Sequence, residues 1–360
     1  MSYLKAIESR DTRTPLGPAA PDPHQFKNAS ACADLMRGGS RTFFAASLLL
    51  PRKVFEPAAA LYAFCRVADD AIDIDGSSIE TLRQRLRCAY QGTPLPYEAD
   101  RPLADMLARH AIPPALPEAL LEGFAWDAQG RRYESFEDLL AYAARVAGSV
   151  GAMMALLMGV RAPDAIARAC DLGIAMQLSN IARDIGEDAR AGRLYLPLHW
   201  LREAGIDPDS FVARPIFSAP LGDVVDRLLR EADILYARAA IGINSLPAAC
   251  RPGINAARLM YAEIGREVAR RRYNSVATRA VVPRSRKVVL LGRACLETAY
   301  PHARRDAPVL AAARFLVDAA VTAPLLRTRP HHPVRKSFDE RAAWLIDLFV
   351  RLGEREQLEL

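Results

Sequence analysis

Oxygen-bearing side chains recur at four-residue intervals in one stretch of the chain, QLSNIARDIGEDARAGRLYLP at residues 177–197. The three side chains are those of Asn180, Asp184 and Asp188. Four-residue spacing places them in one row along an α-helix, and Gln177 extends this row by one turn. Arg183 and Glu187 lie at its edge. Because charged groups are rarely buried unless they are paired or bound to metal, the row predicts a functional site.

A second acidic row lies upstream, in YAFCRVADDAID at residues 62–73. Asp69 and Asp73 are four residues apart, Arg66 precedes Asp69 by three residues, and Tyr62 extends the same helix face. A single acidic pair is more often part of a solvated helix face than of a site. Apolar neighbours surround both rows and argue against solvated faces, so we interpret the two rows together as one site.

Two helices that carry these rows can face each other across a cleft and offer ligands made only of oxygen. Such ligands, without His or Cys, suit hard cations such as Mg²⁺ or Mn²⁺ and argue against Zn²⁺ or Cu²⁺. The predicted metal ligands are Asp69, Asp73, Asn180, Asp184 and Asp188. Asp70 and Glu187 are weaker candidates, because each lies about 100° around its helix from its neighbour in the row. Since Mg²⁺ takes further ligands from phosphate and arginines bind the same anion, the pattern predicts a phosphate-ester site.

The two motifs resemble those of the head-to-head prenyl synthases, a family that comprises the squalene, dehydrosqualene and phytoene synthases. The resemblance runs from about Ser40 to about Val350, and the segments LMYAEIGREV and RAVVPRSRKV are most similar to bacterial phytoene synthases. It implies that two geranylgeranyl diphosphates condense to a cyclopropylcarbinyl diphosphate, prephytoene diphosphate. That intermediate ionises again, rearranges and loses a proton to give 15-cis-phytoene, in the first committed step of carotenoid biosynthesis. The resemblance implies no nicotinamide cofactor.

The resemblance also implies roles for individual residues. Those for substrate binding are Ser40, Thr42, Phe43, Tyr62, Arg66, Tyr142, Val146, Ala147, Gly151, Gln177, Asn180, Tyr261 and Arg279. Those for catalysis are Arg66, Asp69, Asp73, Arg183, Asp184 and Tyr195. Helix capping or core packing is the alternative role for the residues on the predicted pocket wall. Released diphosphate and Tyr195 are both candidates for the acceptor of the final proton.

Three other functions agree with parts of this pattern. The first is a dehydrosqualene or presqualene diphosphate synthase, which uses farnesyl diphosphate and makes a C30 product. The second is a terpene cyclase, although the paired contexts NIARDIGED and RVADDAID argue against that class. The third is a non-catalytic relative that serves as an assembly factor. Such relatives lack the carboxylates, whereas this chain keeps all of them.

Substrate length would be set by the side chains that close the far end of the cavity. We expect Ala59 and Ser47 to lie there. Ala59 shares a helix face with Asp69 and Asp73 and lies roughly 15–20 Å from them at about 1.5 Å per residue. Ser47 follows Phe43 by four residues and so faces the same way. Both side chains are small, which predicts room for a C20 substrate, while close helix packing is the alternative explanation.

The elements that position these rows are predicted to be helices throughout. Of the 360 residues, 51% are apolar and 25% charged, Ala is abundant, and no period-2 pattern of useful length occurs. With the resemblance, this predicts an all-α, single-domain helical bundle of the isoprenoid-synthase type around a central cavity. The predicted divisions are a disordered segment at residues 1–25, the helical domain at residues 26–353 and a tail at residues 354–360. The six cysteines form no C-x-x-C pair and are predicted to be reduced.

Charge and hydropathy predict where the protein works. No signal peptide is visible, and the longest uncharged apolar run, Val146–Val160, is shorter than the roughly 20 residues of a membrane span. The net charge of +6 fits an anionic substrate or lipid surface, while the dispersed basic residues argue against nucleic-acid binding. Because substrate and product would be long and apolar, we expect a cytoplasmic protein peripherally bound to the membrane. Other carotenoid-pathway enzymes are further expected partners.

Overall fold

The computed structural model describes residues 32–36, 41–73, 79–298 and 307–322, and within these ranges it describes all side chains except those of residues 41 and 71–73. Every regular element in these ranges is a helix, as the all-α prediction requires. The α-helices are α1 (residues 32–36), α2 (Arg41–Ser47), α3 (Arg52–Asp73), α4 (Ile79–Tyr90), α5 (Asp100–His110), α6 (Ala115–Ala128), α7 (Phe136–Ala143), α8 (Ser149–Leu157), α9 (Pro163–Arg190), α10 (Leu198–Glu203), α11 (Pro208–Ala213), α12 (Ala219–Gly242), α13 (Arg251–Arg270), α14 (Arg284–Glu297) and α15 (Arg314–Thr322). A π-helix (Ala144–Gly148) joins α7 to α8, and two 3₁₀ helices are formed by Ile243–Ser245 and Ala311–Ala313.

Helix α9 carries the second acidic row and lies at the centre of the described fold. It begins at Pro163, whose fixed φ suits the first helical position and whose missing N–H leaves no donor unpaired. Gly192 follows its end with a φ of 76°, a left-handed conformation that glycine adopts without strain. Helices α8, α12 and α13 all pack against α9. These contacts fix the orientation of α9 and therefore the direction in which its acidic row points.

Two glycines allow the helical segment before α9 to cross it at very short range. A Cβ atom at Gly173 would lie 2.1 Å from the carbonyl oxygen of Ala147, and one at Gly151 would lie 2.1 Å from that of Ala169. Any larger residue would push the two helices apart. The crossing brings Val146 and Ala147 of the π-helix against the same helix that carries the acidic row.

The helical stretch Phe136–Leu157 contains the π-helix and is, by length and composition alone, apolar enough to cross a membrane. The sequence-based prediction of no membrane span considered only the uncharged run Val146–Val160. The apolar helical stretch is longer than that run because it also includes charged residues on its N-terminal side. Within the described residues, 61% of its most apolar window is buried in the protein. This burial is typical of a core helix.

One large hydrophobic core runs through the described fold, with members from Leu50 to Ala320. A smaller cluster joins α1 to one side of α3 and includes Met36, Ala59 and Ala63. All six cysteines are free thiols, as predicted. The predicted divisions near residues 25 and 353, and with them the predicted disordered segment and tail, lie outside the described residues.

Candidate active site

A polar cavity of about 350 Å³ lies where α3 and α9 face each other. Helices α6 and α7, the π-helix and the loop after α9 complete its wall. The two acidic rows, which are more than 100 residues apart in the chain, therefore meet at one site. This is the arrangement predicted from their helical spacing.

An apolar cavity of about 250 Å³ adjoins the polar one. Its wall follows one face of α9 from Asn180 back to Ala165 and also contains residues of α3, α8, α12 and α13. The two cavities share five lining residues: Tyr62, Cys65, Val146, Gln177 and Asn180. Because these residues contribute to both walls, a molecule could place a charged end in one cavity and an apolar tail in the other.

Five of the six predicted catalytic residues line the polar cavity: Arg66, Asp69, Arg183, Asp184 and Tyr195. The sixth, Asp73, is the last residue of α3, and its side chain lies outside the described atoms. Asp188, a predicted metal ligand, also lines this cavity. The structure thus brings together all predicted catalytic side chains that it describes.

Most of the predicted substrate-binding residues line one or both of the two cavities. Tyr142 lines the polar cavity, and Phe43, Ala147, Gly151 and Tyr261 line the apolar one. The residues common to both cavities include the predicted Tyr62, Val146, Gln177 and Asn180. Ser40 lies outside the described residues. Thr42 and Arg279 line neither cavity, although Arg279 bonds to Asp184 on the wall of the polar one.

Arginines neutralise the carboxylates that face the polar cavity. Arg183 donates to both oxygens of Asp184, at 2.7 and 2.5 Å, and Arg279 donates to the same carboxylate at 2.8 Å. Burial alone would raise the pKa of Asp184, but these hydrogen bonds and charges hold it below its usual value. On the facing helix, Arg66 lies 2.6 Å from Asp70 and 3.8 Å from Asp69.

The two weaker metal candidates lie outside the cavity wall. Asp70 is held by Arg66, and the Glu187 side chain is 54% exposed and lies 3.5 Å from Arg279. Their positions follow from the helical period, because each is displaced by about 100° from the residues that face the cavity.

Asp188 is the carboxylate whose surroundings most favour a bound cation. Burial, and then the nearby negative charge of Asp184, raise the pKa of Asp188 to about 7. Among the described residues, no three His, Cys, Asp or Glu side chains are close enough together to hold a metal ion as they stand. The donor set nevertheless fits a hard divalent cation, since all its members are oxygen ligands and a cation would relieve the repulsion between Asp188 and Asp184.

Asp127 lines the polar cavity and was not among the predicted site residues. The Tyr142 hydroxyl donates to its Oδ2 atom and the Tyr195 hydroxyl to its Oδ1 atom, each at 2.8 Å. Burial raises the pKa of Asp127 to about 6, although both tyrosine hydrogen bonds oppose the shift. The sequence signal that could have identified Asp127 is a carboxylate in the largely apolar stretch LLEGFAWDA. It was missed because Asp127 has no acidic partner at helical spacing.

The structure contradicts the expectation that Ala59 and Ser47 close the apolar cavity. Ala59 packs against α1 in the smaller hydrophobic cluster, and its neighbour Ala58 lines the cavity instead. The Ser47 hydroxyl donates to the Phe44 carbonyl oxygen at 2.8 Å and lies 3.3 Å from the Met36 sulfur. Successive residues of a helix point about 100° apart, so the packing of α1 on α3 decides which alanine faces inward.

The whole site lies within the part of the chain that matches a known family. The family model described as squalene/phytoene synthase matches residues 36–287. The chain is 50% identical over 321 residues to the phytoene synthase of Cereibacter sphaeroides, covering 83% of this chain and 89% of that one. It is 47% identical to the phytoene synthase of Rhodobacter capsulatus, covering 91% of this chain and 96% of that one. The chain belongs to the squalene/phytoene synthase family.

Solved structures of this family have the same fold. A dehydrosqualene synthase crystal structure matches with a TM-score of 0.70 and 28% sequence identity, covering 76% of this chain and 98% of that one. A squalene synthase from Alicyclobacillus acidocaldarius matches with a TM-score of 0.64 and 24% identity, over 69% of this chain and 96% of that one. The predicted isoprenoid-synthase fold is confirmed. As a squalene/phytoene synthase, the protein is a prenyltransferase that acts on prenyl diphosphates.

Proposed function

We propose that this prenyltransferase is a phytoene synthase that condenses two geranylgeranyl diphosphates to 15-cis-phytoene and diphosphate. The observation that carries the proposal is the junction of a charged cavity with an apolar one through five shared residues. A diphosphate fits the charged side and a prenyl chain the apolar side. The similarity to bacterial phytoene synthases supports the C20 substrate over the C15 one.

In the first part of the mechanism, the polar cavity binds the diphosphate and stabilises its departure. Arg66, Arg183 and Arg279 supply guanidinium donors, which suit the paired oxygens of phosphate groups. Asp69, Asp184 and Asp188 are the described carboxylates that would hold Mg²⁺ or Mn²⁺. When bound, the cation neutralises negative charge on the leaving diphosphate.

Substrate binding requires a change of partners at Asp184. Arg183 and Arg279 both bond this carboxylate in the structure, so a diphosphate must compete with Asp184 for them. Arg279 is the more available of the two, since its side chain is 45% exposed while that of Arg183 is 18% exposed. We therefore propose that Arg279 moves to the substrate.

In the second part of the mechanism, the apolar cavity protects the allyl cation. Exclusion of water prevents quenching of the cation to an alcohol. Tyr62 and Phe43 lie in the wall with their ring centroids 5.6 Å apart and their planes nearly parallel. Aromatic faces attract cations, so this pair can stabilise positive charge without acting as a nucleophile.

Product identification tests the proposed function. Purified protein is incubated with Mg²⁺ and either geranylgeranyl or farnesyl diphosphate, and the hydrocarbons are identified by mass spectrometry. The proposal expects phytoene from the C20 substrate, little product from the C15 substrate, and no turnover after chelation of the metal. A preference for farnesyl diphosphate would establish the C30 alternative, a cyclic product would establish a cyclase, and absence of turnover with both substrates would favour a non-catalytic relative.

We also propose that the protein binds the cytoplasmic face of the membrane without spanning it. The support is the outward face of α14, where Val288, Val289 and Leu296 are 41%, 57% and 70% exposed. Exposed basic side chains at Arg284 and Arg293 flank this apolar strip, which suits an anionic lipid surface.

Liposome sedimentation tests the membrane proposal. Leu296→Glu should weaken binding to anionic vesicles, whereas Ile234→Glu is the matched control, because Ile234 is 55% exposed on α12 rather than on this face. Equal binding by both variants and the native protein, or no binding at low salt, would contradict it.

A further inference from the structure

Asp127 accepts hydrogen bonds from two tyrosines at the edge of the polar cavity. Its two oxygens receive the hydroxyl protons of Tyr195 and Tyr142, both at 2.8 Å, and the two rings stack with their centroids 5.3 Å apart. Tyr133 packs against both rings, at 5.1 Å from Tyr142 and 6.3 Å from Tyr195. The packing of these three tyrosine rings against one another keeps the Tyr142 and Tyr195 hydroxyls within hydrogen-bonding distance of the Asp127 carboxylate.

This geometry determines what each phenol offers to the cavity. A phenol has one proton, and here that proton points at Asp127. A molecule in the cavity that meets the phenol oxygen therefore meets its lone pairs. Tyr142 is 3% exposed, whereas Tyr195 is only partly buried, so Tyr195 is the more accessible acceptor.

Asp188 also lines the cavity but is a proposed metal ligand, and the other charged groups there are poorly suited to accept a proton from carbon. The arginines have no acceptor atom. Asp184 is bonded by Arg183 and Arg279, and Asp69 lies beside Arg66. Asp127, by contrast, is bonded to neutral hydroxyls, and its burial favours the protonated form of the acid.

We propose that Asp127 is a positioning residue for Tyr195 and the final acceptor of the proton that the prenyl cation loses. In this step a C–H bond next to the cationic carbon breaks, and its electron pair forms the new double bond. The proton passes to the Tyr195 oxygen, while the original hydroxyl proton of Tyr195 passes to Asp127. The cation and the carboxylate are both neutralised, and Tyr195 ends as it began. This inference rests on the proposed prenyl synthase function.

The π-helix that follows Tyr142 supports this assignment. π-Helical turns occur frequently at functional sites, because the wider turn redirects the side chains around it. Here the π-helix begins two residues after Tyr142 and carries Val146, which lines both cavities. Tyr142 and Tyr195 line the polar cavity, and Tyr142 lies four residues before Val146, a residue common to both cavities.

The test compares hydrocarbon formed with diphosphate released in Asp127→Asn and Tyr195→Phe. Asparagine keeps the shape and an acceptor oxygen but cannot take up the proton. Both variants should form hydrocarbon at least about 100-fold more slowly, the usual contribution of a positioned acid–base group. Diphosphate release should fall much less, with alcohols replacing hydrocarbon, because ionisation continues and water captures the cation. Glu122→Gln is the matched control, since Glu122 lies on the same helix, pairs with Arg145 and lines neither cavity.

An unchanged ratio of hydrocarbon to diphosphate in folded Asp127→Asn would overturn the proposal. Restoration of its activity by excess Mg²⁺ would also overturn it, because that result would make Asp127 a metal ligand. If Asp127→Asn does not fold, Tyr195→Phe provides the same readout and leaves Asp127 bonded to Tyr142. Failure of the proposed function is distinguishable, since it would show as no phytoene from the unmodified protein. The ratio can then be measured with whichever prenyl diphosphate that protein converts.

Discussion

Helix α9 carries two aspartates that are each bound by two arginines, and they differ in what surrounds them. Asp171 accepts from Arg168 at 2.7 Å and from Arg238 at 2.9 Å, and its side chain is 1% exposed. Asp184 accepts from Arg183 and Arg279, and its side chain is 16% exposed on the wall of the polar cavity. The Asp171 carboxylate is enclosed by protein, although the Arg168 side chain also lines the apolar cavity, whereas the Asp184 carboxylate faces the polar cavity and is open to a ligand.

The arginines show the same difference. Arg168 of α9 and Arg238 of α12 also donate to the carbonyl oxygens of Ala307 and Pro308, so their donors hold the residues before α15 against these two helices. Burial raises the pKa of Asp171 in spite of both arginines, while the arginines hold the pKa of Asp184 below its usual value. An Asp–Arg cluster therefore indicates a site only where a cavity allows its partners to be exchanged.

The largest expected effect is the loss of turnover when Asp184, the carboxylate open to the polar cavity, is removed. Asp184→Ala should lower turnover by at least about 10³-fold, since loss of several kcal/mol of metal-dependent charge stabilisation costs about tenfold per 1.36 kcal/mol. Steady-state kinetics at saturating Mg²⁺ measure this, and circular dichroism should show a folded protein. Asp164→Ala is the control, an exposed aspartate in the first turn of the same helix. Near-normal turnover of Asp184→Ala would show that the open cluster has no catalytic role.

Removal of Asp171 from the enclosed cluster should lower stability, whereas removal of Asp184 should lower turnover. Asp171→Ala leaves Arg168 and Arg238 without their buried partner, which should lower the free energy of unfolding by about 3–5 kcal/mol. Urea unfolding followed by circular dichroism measures this. Asp226→Ala removes the partly buried partner of Arg230, whose own side chain is 76% exposed, and should cost about 1 kcal/mol or less. If Asp171→Ala were as stable as Asp226→Ala, the division into an enclosed and an open cluster would be wrong.

A third prediction separates the cavity wall from the core at two adjacent residues of α3. Ala58 lines the apolar cavity and Ala59 packs against α1, and both are 1% exposed. Ala58→Phe should shift the ratio of kcat/KM from geranylgeranyl towards farnesyl diphosphate by about tenfold or more, as expected for a change of pocket volume. Ala59→Phe should mainly cost stability through overpacking, about 1–3 kcal/mol. A larger change of preference in Ala59→Phe would restore Ala59 as the length-determining residue.

The smallest predicted effect concerns the dependence of stability on pH in the metal-free protein. The pKa of Asp188 is raised from 3.8 to about 7, so the folded state holds this proton more tightly than the unfolded chain does. Its stabilising contribution is complete below about pH 4 and is lost as the pH rises through about 7. Relative to Asp188→Asn, the unmodified protein should therefore lose stability over this range, and Mg²⁺ should restore it at pH 8. Parallel pH profiles for the two proteins would contradict the assignment.

Much of the site could be predicted because helical spacing is a local property. Asp69 on α3 and Asp184 and Asp188 on α9 lie on predicted rows, and both rows face one cavity. Apolar residues around each row indicated that these faces are not solvated. The helical class followed from composition and from the absence of a period-2 pattern.

The missed features depend on contacts between distant parts of the chain. Asp127 acquires its role from Tyr142 and Tyr195, which lie 15 and 68 residues away. Ala58 lies on the cavity wall instead of the predicted Ala59, because α1 packs against the side of α3 that carries Ala59. No spacing rule applies to such contacts, because they depend on how whole helices are placed relative to one another.

We propose that Asp69, Asp184 and Asp188 hold a metal on which the diphosphate binds. A crystal structure with Mn²⁺ and a non-ionising geranylgeranyl thiodiphosphate, recorded at a wavelength where manganese scatters anomalously, tests it most directly. We predict manganese between Asp69 and the Asp184–Asp188 pair, the diphosphate in the polar cavity, the prenyl chain along α9, and Arg279 moved from Asp184 to the substrate. A bound analogue without manganese at these carboxylates, and with Asp184 still held by both arginines, would contradict it.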